Sequence, residues 1–309
     1  MRPIAPFVLA ALIAAACGGE RPAATVQFVQ PTPTPAATLG QPTPTPEPPE
    51  VVLSTTEVYQ GGAVLVSLTG PAQSGSVSFR GREIPLIQGD HSIFAFVPVA
   101  TADAPGTSFL TVDFVLANGS EGQFVADVTV LETTWAVDEV SFTDEQEMLL
   151  DPAVVAKEDE TLTGIYGVFT REKLWSDLWQ FPVLGGITAP FGEQRAVNGG
   201  DPAGHHSGTD FGAEEGTKVV ATNSGTVVLA REMNLRGNTV IIDHGGGVFS
   251  TYAHLSSIVV QEGQRLDPGA LIGLVGNTGL STGAHLHWEM SASGVLVDAV
   301  RFADGSNGF

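Results

Sequence analysis

Residues 225–252 read Gly225-Thr-Val-Val-Leu-Ala230, then Asn238-Thr-Val-Ile-Ile-Asp243, then Val248-Phe-Ser-Thr-Tyr252. Each run is short and apolar, and glycines fall between the runs where tight turns are needed. Lys218-Val-Val-Ala221 before them and Leu271-Ile-Gly-Leu-Val275 after them extend the series. No long amphipathic helices alternate with these runs, which argues against a βαβ fold. Residues 181–309 are therefore expected to form one β-rich domain.

Upstream, residues 51–132 also read as β. Ala63-Val-Leu-Val-Ser-Leu68, Ser76-Val-Ser-Phe79, Ser92-Ile-Phe-Ala-Phe-Val97, Phe109-Leu-Thr-Val-Asp-Phe-Val115 and Gly122–Val130 are strand candidates, with turn signals at Gln60-Gly-Gly62, Gly89-Asp90 and Asn118-Gly119. About seven short strands at this spacing predict a small immunoglobulin-like β-sandwich. It holds one histidine, His91, and no lysine, so it has no cluster of catalytic types. A structural or docking role is expected. Residues 133–180 switch to helical signals and predict a short connector. Asp151-Pro152 is a good N-cap and N1 pair, and a second short helix is expected from Thr170, carrying Glu172 and Trp175. Trp175 and Trp179 are expected to pack against the following domain.

The first 50 residues cannot build a core. Nine of the 20 prolines fall in residues 20–50, including Pro31-Thr-Pro-Thr-Pro35 and Pro42-Thr-Pro-Thr-Pro46, so residues 18–50 predict an extended linker. Before it, Phe7–Ala16 is an apolar run too short to span a bilayer, following Met1-Arg2 as a secretory signal does. Cys17, the one cysteine, ends that segment, so no intrachain disulfide can form. Residues 1–17 resemble the lipobox of bacterial lipoproteins, which implies acylation of Cys17 and a lipid anchor; Ala14 departs from the leucine usual there. Ordinary cleavage after Ala16 is the alternative, and either route exports the protein.

Charge narrows the partners. The chain carries 34 acidic against 13 basic residues, a formal charge of -21. The only lysines are Lys157, Lys173 and Lys218. No basic patch can neutralise several phosphates, so nucleic acid is not an expected partner.

Six of the seven histidines lie between His205 and His287. His285 and His287, at i and i+2 on a strand, point to the same face and can line one cavity. His206 and Asp210 add a nitrogen and a carboxylate; His205 is adjacent, but only His206 leaves a three-residue gap to Asp210. Zinc in hydrolases commonly takes three protein ligands and leaves a position for water. His206, Asp210 and either strand histidine satisfy that count. The other strand histidine and His254 could then serve as base and transition-state stabiliser. His244 is expected to be structural.

Taken together, Ile187-Thr-Ala-Pro-Phe-Gly192, His206-Ser-Gly-Thr-Asp-Phe211, Gly216–Ala221, Gly237–Gly245, Tyr252-Ala-His-Leu255, Gly276-Asn-Thr-Gly279 and Ser281–Glu289 resemble the M23 family of zinc metallopeptidases, the lysostaphin or LytM type. The resemblance spans about 120 residues in the family's order. It implies an antiparallel β-sheet peptidase domain over 181–309, holding one zinc ion through His206, Asp210 and His287. His254 and His285 become the catalytic pair, and Asn198 and Arg195 line the substrate groove. The implied substrate is the peptide stems and cross-links of bacterial peptidoglycan, met on the outer face of the membrane. The departures are Ala284 where proline is frequent and Gln194 where arginine is common. The sandwich supplies none of these groups and is expected to be dispensable for hydrolysis.

Other readings fit less well. A non-catalytic LytM-type regulator of cell-wall amidases should lack one of the five key groups, and this chain keeps all five. A lipoyl-type carrier needs a lysine at a hairpin tip, whereas Lys218 lies inside a strand candidate. A cupin expects a further glutamate and histidine, and no histidine follows His287.

Overall fold

A computed structural model describes residues 26–27, 48–175 and 178–305. The expected signal segment, Cys17 and nearly all of the linker lie outside the described residues. Among the described residues, no helix is long and apolar enough to cross a membrane.

Alternating burial builds the first unit. Leu110, Val112, Phe114 and Leu116 face inward from the Gly106–Leu116 strand while the residues between them are more exposed. That strand lies between Glu121–Leu131 and Ala72–Phe79 in one sheet. A second sheet orders Glu50–Leu53, Ala63–Thr69, Ile93–Pro98 and Ile87–Gln88. Val64, Val66 and Leu68 from the second sheet meet Val77, Leu110 and Val112 from the first in one core. The result is the expected β-sandwich.

Ile93–Pro98 breaks the alternation, since every residue of it is buried. Ile93, Ala95 and Val97 belong to the sandwich core, whereas Phe94 and Phe96 join the core of the C-terminal unit. There Phe96 lies 5.8 Å from Trp175 and 5.0 Å from Phe302, centroid to centroid. A strand covered on both faces reads as a continuous apolar run. The sandwich therefore covers part of the second core, so that removing it would uncover Trp175 and Phe302.

The C-terminal sheet runs Gly186–Ala189, Thr209–Gly212, His285–Ala292, Val248–Ile258, Gly237–Gly245, Gly225–Met233 and Arg265–Leu266, each antiparallel to its neighbour. Val219, Val240, Ile242, Leu286 and Met290 are fully buried beneath it.

The connector is more than a tether. Val137–Val140 pairs in parallel with Gln194–Val197, adding a small sheet at the edge of the C-terminal unit. Thr143 caps a short helix, Asp144–Glu147, in a reciprocal capping box with Gln146. Asp151 caps the Pro152–Tyr166 helix by accepting from the Ala153 amide at 2.8 Å, with Pro152 at its first turn, as the sequence predicts. The second helix expected from Thr170 does not form. Instead, Gly246 N donates to Thr170 O at 2.7 Å and Leu174 N to His244 O at 2.9 Å. These backbone groups are satisfied by the C-terminal unit, which holds the segment open and seats Trp175 between Phe94 and Phe96. Gly245, at φ +82°, permits this approach, because a Cβ there would collide with Glu172 O.

Candidate metal centre

Strand register assembles the site. Asp210 lies directly opposite His287, and His287 lies opposite Ala253 on its other side, so His254 follows at once on the next strand. His285 lies opposite Gly212 in the register. His254 adopts φ 59°, left-handed backbone that is strained for a side-chain-bearing residue, and its amide donates to Arg236 O at 2.8 Å.

Three buried atoms meet at the floor. His287 Nδ1 is 2.7 Å from Asp210 Oδ1, His206 Nε2 is 3.1 Å from the same oxygen, and the two nitrogens are 3.1 Å apart. The opposite ring nitrogens fix the tautomers. His206 Nδ1 donates to Pro190 O at 2.9 Å, and His287 Nε2 donates to Glu289 Oε1 at 3.0 Å. Both nitrogens of the trio thus present lone pairs beside a carboxylate. Such a group is stable only with positive charge among its members, either a proton or a metal ion.

The electrostatics agree. Burial would raise the Asp210 carboxyl, but its contacts with His206 and His287 hold it well below the usual carboxylate range. Burial lowers His206. It also acts against protonation of His287, yet Asp210 and Glu289 together raise that ring to about 8. Among the described residues, these three form the one cluster of histidine and acidic groups able to share an ion.

His254 and His285 line the same cavity of about 590 Å³. Their rings lie 4.8 Å apart. His254 Nδ1 donates to Thr278 O and His285 Nδ1 to Gly283 O, each at 2.8 Å, leaving each Nε2 with its lone pair. Burial, with His287 and His285 close by, pushes His254 down to about 3, so its ring stays neutral. His285 Nε2 stands 3.7 Å from Asp210 Oδ1.

The remaining candidates separate. Arg195 lines the cavity, but its Nη2 is committed to Asp210 Oδ2 at 2.9 Å. Asn198 is not among the lining residues; its carboxamide accepts from Phe142 N at 2.8 Å and donates to Glu147, which anchors the connector. His205 Nδ1 donates to Gly192 O at 2.8 Å, and the ring packs edge-on against Trp135. His244 is fully buried between Ser224 O and Ser250 Oγ, a structural role. Sequence reading passed over Glu289 and Ser207, which pair at 2.6 Å behind His287. Glu289 could have been found: it follows His285 and His287 at the same two-residue step and so shares their face.

Residues 204–299 match the sequence model of Peptidase family M23. The peptidoglycan DD-endopeptidase ShyA of Vibrio cholerae is 45% identical over 96 residues, 31% of this chain and 22% of that protein. The DD-carboxypeptidase/endopeptidase Mpg of Neisseria meningitidis is 42% identical over 98 residues, 32% of this chain and 23% of that protein. The chain thus spans under a quarter of the length of these curated relatives. A crystal structure from Pseudomonas aeruginosa, described as that of a candidate M23 peptidase, superposes with a TM-score of 0.60 at 26% identity, covering 81% of this chain and 96% of the other. That likeness takes in most of the chain, well beyond the 204–299 match.

Proposed function

We propose, from the M23 peptidase domain that residues 204–299 carry, that this protein is a zinc-dependent endopeptidase cleaving peptide cross-links of bacterial peptidoglycan. The observation that carries the reading is the convergence of His206 Nε2, Asp210 Oδ1 and His287 Nδ1 within 3.1 Å of one another on a cavity floor. Two imidazoles and one carboxylate suit zinc, and they leave a position open for water. Bound there, zinc would polarise the scissile carbonyl and bring the pKa of a water to about 7. The protein's own groups do the rest. His254 and His285 each offer an Nε2 lone pair able to accept a proton from the attacking water. Once protonated, the same N–H can donate to the developing oxyanion or to the leaving amine. Their backbone-bound Nδ1 atoms hold both rings in this orientation before substrate arrives. Arg195 covers the outer oxygen of Asp210 at the cavity rim, where it can also meet the substrate.

The substrate class follows from the names of the relatives. Export, with Cys17 acylated and residues 18–50 as a spacer, would place the cavity beside the wall. Incorporation of a labelled fatty acid, lost in Cys17→Ala, tests the anchor. No observation favours the non-catalytic regulator, since all five groups are present and face one cavity. Incubation of the purified protein with defined cross-linked muropeptides, followed by mass spectrometry, tests the activity. Release of uncross-linked stems that stops in His206→Ala is expected, and intact dimers after prolonged incubation would reject it.

A further inference from the structure

Glu158 is an acid in an unexpected place. It is 3% exposed, on the Pro152–Tyr166 helix, well upstream of the 204–299 match. Its carboxylate accepts from Leu235 N at 2.8 Å, Arg236 N at 3.2 Å and Arg236 Nη1 at 3.0 Å. The other arm of that guanidinium, Nη2, donates to Glu289 Oε1 at 2.6 Å. Tyr166, two turns further along the helix, reaches the same carboxylate directly, donating to Oε2 at 3.0 Å. Glu289 is fully buried and accepts the hydrogen bond from His287 Nε2. Two side chains of one helix, one directly and one through Arg236, therefore set the carboxylate that sets a nominated ligand.

This is a costly way to dock a helix. Apolar residues of similar volume would serve as well or better, because burying charge carries a desolvation penalty even when the charge is paired. The helix already has such contacts, with Leu162 and Tyr166 packing on Leu229, Ile241 and Phe249. What the polar network adds is control of orientation. A carboxylate behind a ligating histidine fixes its tautomer and raises its basicity.

We infer that the Pro152–Tyr166 helix is a working part of the metal centre, with Glu158 and Tyr166 as positioning residues that lock Glu289 and, through it, His287. The inference rests on the reading that His206, Asp210 and His287 hold zinc. The test uses the full chain and measures zinc dissociation constants by competition with a chromophoric chelator. Tyr166→Phe and Glu158→Gln are compared with Leu162→Ala, which lies between them on the helix and, being apolar, makes none of the network's hydrogen bonds; chelated samples are melted in parallel. The two network variants should bind zinc at least about tenfold more weakly. Leu162→Ala should lower the melting temperature yet keep zinc affinity within about twofold of wild type. Unchanged affinity in both network variants, or an equal loss in Leu162→Ala, would overturn the inference while leaving the zinc assignment standing. A wild-type protein that binds no zinc would remove both.

Discussion

Replacing Phe96 by alanine perturbs the sandwich where it enters the C-terminal core. The ring is 5% exposed and sits 5.8 Å from Trp175 and 5.0 Å from Phe302. Deleting such a ring removes its transfer free energy and leaves a cavity that the sheet on either side cannot close, a cost of about 3–5 kcal/mol. Because the two units share one core, that cost should be felt by both as a single cooperative transition. At about 2 °C per kcal/mol for a unit of this size, the melting temperature should fall by roughly 6–10 °C. Differential scanning calorimetry reads the transition, with near-ultraviolet circular dichroism following the aromatic cluster. Zinc binding should not change, since Phe96 is not among the residues lining the cavity. Two separate transitions in the wild type, or a variant in which only one of them shifts, would refute the shared core. By the same reasoning, deleting the sandwich should expose Trp175 and Phe302 and cost stability before it costs chemistry.

If His285 moves protons rather than ligating, as proposed, His285→Ala should keep zinc yet lose about 10²–10⁴-fold in kcat; loss of zinc, or retained turnover, would reverse the assignment of the two strand histidines. Acid should destabilise the protein partly through His244, which burial pushes down to about 4 from the usual histidine value of 6.5. Between those values the unfolded chain takes a proton that the folded chain refuses, so this part of the stability is present above pH 6.5 and lost as pH falls to 4. It amounts to roughly 3 kcal/mol. Urea unfolding of wild type and His244→Gln from pH 7.5 to 4.5 should show a shallower pH dependence in the variant, and parallel curves would contradict it.

The clustering of His206, Asp210 and His287 was legible because its signal is local. His206 and Asp210 are four residues apart, and His285 and His287 share a strand face, so only the pairing of two strands was left for the fold to supply. The sandwich strands were legible by alternation, and Ile93–Val97 hinted at more by being apolar at every position except Ser92 before it. Which partner covered its second face depended on Trp175 and Phe302, distant in sequence. Thr170–Trp175 misled because helical side-chain types there are overruled by backbone hydrogen bonds that Thr170 O accepts from Gly246 N and Leu174 N donates to His244 O. Glu158 was half visible: Leu162 and Tyr166 lie four and eight positions on, so a buried helix stripe had to include that acid. Its partner Arg236 was not visible, because nothing near Asn234-Leu-Arg-Gly237 marks a guanidinium destined for the interior. The partners of Asn198 were hidden for a similar reason, its carboxamide bonding to Phe142 and Glu147 of the connector.

The central claim is that three side chains from two strands and a preceding loop share one divalent ion. Crystals grown with zinc, with diffraction recorded on both sides of the zinc absorption edge, test it directly. One anomalous peak about 2.0–2.2 Å from His206 Nε2, Asp210 Oδ1 and His287 Nδ1 is the result expected. Electron density for the three side chains with no anomalous peak among them, or a peak held by other residues, would contradict it.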